Sequence, residues 1–193
     1  RQPRAGAQVV EPLQLVDRGL VAARDRGQGL PLENGVVDGL LAAERLADAL
    51  AAGDPVVAVI RGSATNQDGH TNGITAPNGL AQRAVIERAL RDAGAVAHDI
   101  GYVETHGTGT SLGDPIEIEA LGASVGRPAP DGAPCFIGSA KTNVGHLEGA
   151  AGIAGLIKAA LVLRHAEIPP LVHFTRLNPH IENITRRIAL ENF

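Results

Sequence analysis

The sequence predicts an α/β fold with a sheet flanked by helices, and three observations carry that prediction. Short β-branched or apolar runs recur at Val56 to Ile60, Ile100 to Glu104, Cys135 to Gly138 and Ile188 to Glu191. Segments of helical period lie between them. Polar, glycine-rich loops follow three of these runs, and ligand sites of such sheets gather at strand ends of this kind.

Taken in order, residues 1 to 35 hold Pro3, Pro12 and Pro31 and a short apolar patch, Leu13 to Ala23, with no sustained period. They form an unplaced N-terminal segment, and residues 36–193 form the folded lobe. From Val36 to Ala52, Leu40, Leu41, Leu46 and Leu50 have helical spacing, and Gly53 and Pro55 stop the helix, which covers at least the second half of the stretch. Val56 to Ile60 is a strand, and the polar stretch Ser63 to Gly79 has no apolar period. Leu80 to Ala93 is an amphipathic helix with Leu80, Ala84, Val85, Ala89 and Leu90 on one face, closed by Gly94.

After the strand Ile100 to Glu104 comes a loop that runs into a helix. There Asp114 is the expected cap, Pro115 the first helical residue and Glu117 the other half of a capping box. A connector, Gly126 to Pro134, leads to the strand at Cys135 and a second polar loop, then to a helix from about Gly149 to Arg164. Gly149, Gly152 and Gly155 give that helix a smooth face, and interior glycines at a cost of ~1 kcal/mol each imply that it is buried. Ile188 to Glu191 is the last strand, and no internal repeat is evident.

Composition narrows the function. The 193 residues are 44% hydrophobic, 20% charged and carry a net charge of −4, which suits one globular domain. Aromatics at 2%, with 17 basic against 21 acidic residues, give neither stacking platforms nor a basic footprint for nucleic acid. A single cysteine, Cys135, excludes an internal disulfide and multi-cysteine zinc sites and suits a reducing cytoplasm. The longest helix-like apolar stretch, Ala150 to Leu163, is shorter than the ~18 residues a membrane span needs and contains Lys158. No membrane association is expected. The chain begins with Arg1 and has no methionine, so a piece of a longer protein is expected.

Chemistry concentrates in two strand-to-helix loops, Glu104 to Thr110 and Lys141 to His146, each with one histidine among small residues. A neutral imidazole donates to a developing oxyanion or assists proton transfer near neutral pH, and Lys141 adds positive charge. The bland alternative is a pair of structural histidines. The loop His106 to Asp114 is also a candidate phosphate cradle, but neither loop has the Gly-Lys-Ser/Thr ending of a P-loop. His165, His173 and His180 straddle Pro169-Pro170 and share no element, so no metal site is expected. Cys135 starts an apolar strand, where a thiol is a buried hydrophobe rather than a nucleophile.

Asn66-Gln67-Asp68-Gly69, Thr75-Ala76-Pro77-Asn78-Gly79, Glu104 to Thr110, Gly113-Asp114-Pro115-Ile116-Glu117 and Lys141 to Glu148 together closely resemble the β-ketoacyl synthase domain of bacterial modular polyketide synthases. The resemblance runs from about Glu44 to Ile181 and covers only the C-terminal part of that domain. It implies a thiolase-like α/β fold, here one half of an α-β-α-β-α layered structure with a mixed sheet flanked by helices. It also implies decarboxylative Claisen condensation of acyl and malonyl-type thioesters carried on the phosphopantetheine arm of an acyl carrier protein, with no directly bound cofactor.

By the same resemblance, His106 and His146 match the histidines of a Cys-His-His site, Lys141 matches its positioning lysine, and Thr108 and Thr110 match threonines that line the pantetheine channel. The expected partners are an acyl carrier protein and the missing N-terminal half, or a second subunit of the family's homodimer. The family's nucleophile sits in a Thr-Ala-Cys-Ser-Ser-like segment, which these 193 residues lack, and Val37-Asp38-Gly39 interrupts an expected apolar strand. The resemblance therefore implies either an incomplete synthase lobe or a non-catalytic module that binds a carrier protein or a synthase subunit.

Overall fold

A computed structural model describes residues 23–25, 41–42, 45–68, 77–126, 129–181 and 188–190. Val37-Asp38-Gly39, Leu40, and all of residues 1–35 but Ala23–Asp25 lie outside the described residues.

Two three-stranded ladders carry both strand senses expected of the mixed sheet. The first joins β1 (Ala23–Asp25), β2 (Leu41–Ala42) and β3 (Val56–Ala58) in the order β2-β1-β3, all antiparallel. Helix α1 (Leu46–Ala52) lies between β2 and β3 in the chain and stops at Gly53, whose φ of 70° accompanies a bond from the Asp54 N–H to the Ala49 carbonyl at 2.9 Å. The helical spacing from Val36 thus holds only from Leu46: Leu41 is a strand residue opposite Asp25, because ladder pairing overrides a local period. Of α1 only Ala49 is buried, and Leu50 is 65% exposed.

Helix α2 (Gly79–Ala93) is capped at its start by Asn78, whose side-chain oxygen accepts from the Leu80 and Ala81 N–H groups at 3.0 and 3.2 Å. Its buried face is Ile86, Ala89 and Leu90. The expected face included Leu80 and Ala84, but Ala84 is exposed and Leu80 is 79% exposed, so the buried stripe is confined to the later turns.

The second ladder is parallel, β4 (Tyr102–Glu104), β5 (Cys135–Gly138) and β6 (Ile188–Leu190) in that order. Helix α3 (Gly113–Ser124) makes the crossover from β4 to β5 and packs on α2. Ile86 and Leu90 of α2, Ile118 and Leu121 of α3, Val103, Cys135 and Ile137 of the sheet and Ile188 form the core. Residues alternate across β4: Val103 joins that core, whereas Tyr102 and Glu104 meet Lys158 of helix α5 (Ala151–His165) on the other face. Between β5 and α5 lie the short helix α4 (Lys141–Val144) and a 3-10 turn at Glu148–Ala150.

The expected burial of the glycine-bearing helix holds for its later turns, where Gly155, Leu156, Ala159, Ala160 and Val162 are buried. Gly149 precedes the α-helix, and it and Ile153 are exposed, whereas Gly152 is half-buried. Among the described residues no helix is long and apolar enough to cross a membrane.

Candidate active site

The parallel register sets Glu104 beside Gly138, so the two histidine-bearing loops leave adjacent strands at the same level. Hydrogen bonds then stitch them together. Both the N–H and the hydroxyl of Thr105 donate to the Gly138 carbonyl, at 2.8 and 2.9 Å, and the hydroxyl of buried Ser139 faces the Gly107 carbonyl at 3.4 Å. Gly107 has φ 47°, and a Cβ there would lie 2.6 Å from Thr105 Oγ1 and 2.9 Å from Ser139 Cβ. Only glycine fits between the loops at that point.

The acidic residues at the start of α3 hold the first loop from below. Glu117 accepts from the His106 N–H at 2.7 Å and from the Gly107 N–H at 3.0 Å, and Asp114 accepts from the Gly109 N–H at 3.1 Å. This corrects the expected capping box. The helix begins at Gly113, and its first N–H is met by Thr110 Oγ1 at 3.0 Å, which leaves both carboxylates to reach back to the glycine-rich loop. It also weighs against a phosphate cradle, because amides at His106, Gly107, Gly109 and Gly113 already have acceptors within the chain.

In the second loop, α4 brings Lys141 to a half-buried position and ends at Gly145, φ 73°, which turns the chain into His146. The Glu148 N–H donates to His146 Nδ1 at 3.0 Å, so the neutral ring carries its proton on Nε2. The rings of His106 and His146 meet edge to face, with centroids 5.7 Å apart and planes at 83°. Partial desolvation of the ring holds His106 below the ordinary histidine value, and the charge of Lys141 pushes the same way; Glu117 opposes them. Both effects favour the neutral ring of His106. A pair of this kind can donate to one developing oxyanion from two directions.

The structure brings His106, His146 and Lys141 together. Thr108 and Thr110 lie exposed on the same loop, where Thr110 also closes the start of α3 and its carbonyl faces the Asn178 amide at 3.4 Å. Cys135 is 0% exposed and begins β5, at the end away from these loops, so the thiol is a core residue. Sequence reasoning did not single out Ser139, Asn178 or the contact between Glu104 and Lys158. A lysine within an otherwise apolar helix was the available signal for the last of these.

Comparison with known proteins identifies the family. The family model described as β-ketoacyl synthase, C-terminal domain, matches residues 57–175. Among curated relatives, one polypeptide of the phenolphthiocerol/phthiocerol polyketide synthase of Mycobacterium tuberculosis is 55% identical over 151 residues, 78% of this chain and 8% of that protein. Another polypeptide of the same synthase is 54% identical over 149 residues, 77% of this chain and 10% of that protein.

Among solved structures, an oxazolomycin ketosynthase domain of Streptomyces albus JA3453 superposes with a TM-score of 0.71 at 44% identity, over 77% of this chain and 26% of that one. The module 6 ketosynthase of the bacillaene synthase from Bacillus subtilis 168 gives 0.70 at 39% identity, over 78% of this chain and 27% of that one. The fold is thiolase-like α/β, and the chain belongs to the β-ketoacyl synthase C-terminal domain family. It spans about a quarter of the solved ketosynthases and a tenth or less of the curated synthase polypeptides it matches.

Proposed function

We propose that residues 36–193 act as the C-terminal lobe of a β-ketoacyl synthase in polyketide chain elongation, with His106, His146 and Lys141 handling a malonyl-type thioester. Residues 1–35 are assigned no role in the reaction, although Ala23–Asp25 within them pair with β2 and β3 of the lobe. The observation that carries this reading is the pair of imidazoles 5.7 Å apart, with His146 Nδ1 occupied by a backbone N–H.

In the proposed step the imidazole N–H groups donate to the thioester carbonyl. The bond from the α-carbon to the carboxylate breaks, carbon dioxide leaves, and the electron pair passes into an enolate whose oxygen the same donors hold. Donors of this type contribute ~3–4 kcal/mol each, or about 100–1000-fold in rate. Lys141 adds positive charge beside the developing anion. Thr108 and Thr110 would line the path of a phosphopantetheine arm, delivered by an acyl carrier protein. Full condensation needs an acyl group on a thiol that this chain does not present, hence a complementary ketosynthase half or a second subunit in the cytoplasm.

Release of carbon dioxide from a malonyl thioester by the purified chain tests this. The wild type is expected to exceed a His106→Ala, His146→Ala double variant by at least ~100-fold, and equal rates would sink the proposal. Burial of the sole cysteine favours one other reading, a non-catalytic module that binds a carrier protein or synthase subunit. Saturable binding of a malonyl-carrier protein without carbon dioxide release would select it.

A further inference from the structure

Behind the two loops lies a buried polar cluster that takes no part in the proposed step. The side chains of Glu104 and Lys158 are only 6% and 14% exposed, and their charged atoms are 3.1 Å apart. The same Glu104 carboxylate accepts from the Tyr102 hydroxyl at 2.5 Å, and its other oxygen accepts from the backbone N–H of Ala140 in a short hydrogen bond. Ala140 is the residue immediately before Lys141 and the start of α4.

Gly138 forms the floor of the cluster: a Cβ there would fall 2.5 Å from the Tyr102 hydroxyl and 3.1 Å from Lys158 Nζ. One carboxylate at the end of β4 thus fixes the first turn of the neighbouring loop, while Lys158, from α5, and Tyr102 fix the carboxylate. A pair removed from water so fully is a poor source of stability, because desolvation offsets its attraction. Its geometry is specific instead: one carboxylate oxygen, Oε2, takes both the Tyr102 hydroxyl and Lys158 Nζ, and the other, Oε1, takes the Ala140 N–H.

We infer that Glu104 is a positioning residue for the decarboxylation site, held by Lys158 and Tyr102, and that its bond to the Ala140 N–H sets where Lys141 stands relative to His106. This rests on the function proposed above. It adds a role for a residue that touches no substrate, and it predicts that an acceptor at position 104, rather than its charge, is what the site requires.

Two double variants of the full chain separate acceptor from charge without leaving one buried charge alone. Glu104→Gln with Lys158→Met keeps an acceptor facing Ala140, whereas Glu104→Leu with Lys158→Met removes it. The first is expected to keep hydrogen-exchange protection of the Ala140 amide and carbon dioxide release within about threefold of wild type. The second is expected to lose at least ~10-fold in both, with KM within twofold and a thermal midpoint no lower than that of the first. The His106 titration should also rise in the second relative to the first as Lys141 withdraws.

Equal Ala140 protection and equal His106 titration in the two variants would overturn the inference. Should either variant fail to fold, Ala140→Pro removes the donor at a residue whose φ of −62° suits proline. An unchanged His106 titration in that variant would overturn the inference equally. A wild-type chain that releases no carbon dioxide refutes the proposed function, and the exchange and titration readouts still decide the positioning role.

Discussion

Replacing Glu117 with alanine removes the two acceptors that meet the first amides of the His106 loop, the contacts at 2.7 Å to the His106 N–H and 3.0 Å to the Gly107 N–H, and leaves the Asp114 and Gly138 contacts in place. Hydrogen bonds to a charged group contribute ~1.5–3 kcal/mol each when sheltered. The His106 contact is solvent-exposed and the Gly107 contact only part-buried, so about 2 kcal/mol for the pair is the expected loss. For a chain of this size that lowers a thermal midpoint by about 4–8 °C. Circular dichroism melting at pH 7 reads the stability, and a proton NMR titration reads the site.

Glu117 is a nearby negative charge that raises the His106 pKa against the larger downward effects of desolvation and Lys141, so its removal should lower that pKa further. Glu117→Gln should fall between wild type and alanine in stability and match alanine in the direction of the titration. A melting midpoint unchanged within about 1 °C, or a His106 titration that moves up, would refute the account of how the loop is held.

Truncating Ile86, fully buried between α2 and the sheet, to alanine should cost about 2–5 kcal/mol, read as a lower urea midpoint with an unchanged slope. Because the folded pKa of His106 lies below 6.5, folding favours the neutral ring. That contribution is fully present above pH 6.5 and is lost as pH falls through the folded value; the stability difference between wild type and His106→Gln, followed from pH 8 to pH 4, should shrink in that direction. Cys135, buried in β5, should resist a thiol reagent in the native chain and react on unfolding; rapid native labelling would contradict its place in the core.

The four strand runs, the stop glycines at Gly53 and Gly94, and the two histidine loops were legible because each depends on local chemistry: β-branched runs, left-handed glycines, small residues after a strand. What escaped depends on partners far apart in sequence. The helical spacing around Leu41 gave way to pairing with β1, whose own residues carry no periodic signal. Leu80 followed the helical stripe but is exposed, since the buried face of α2 is confined to Ile86, Ala89 and Leu90. At Asp114 and Glu117 the residue types were right for a cap, and only the folded loop shows that its bare amides compete for the same carboxylates. Of the site, the residues that meet substrate in the proposed step were readable, whereas the supports Ser139, Glu104 and Lys158 required the register of β4 on β5.

The crossover through α3 separates two kinds of sequence change. The loop His106 to Leu112 leaves β4 at the site, whereas the turn at Ala129–Gly132 returns the chain to β5 from the opposite end of the strands. Residues inserted at that turn lengthen a surface excursion and leave the imidazoles in place. A slip of β5 by a single residue against β4 does the reverse: the loop origins separate by ~3.3 Å and the side chains exchange faces. Drift in length is therefore tolerated on one side of the sheet, while on the other even one residue of phase decides whether the two rings meet.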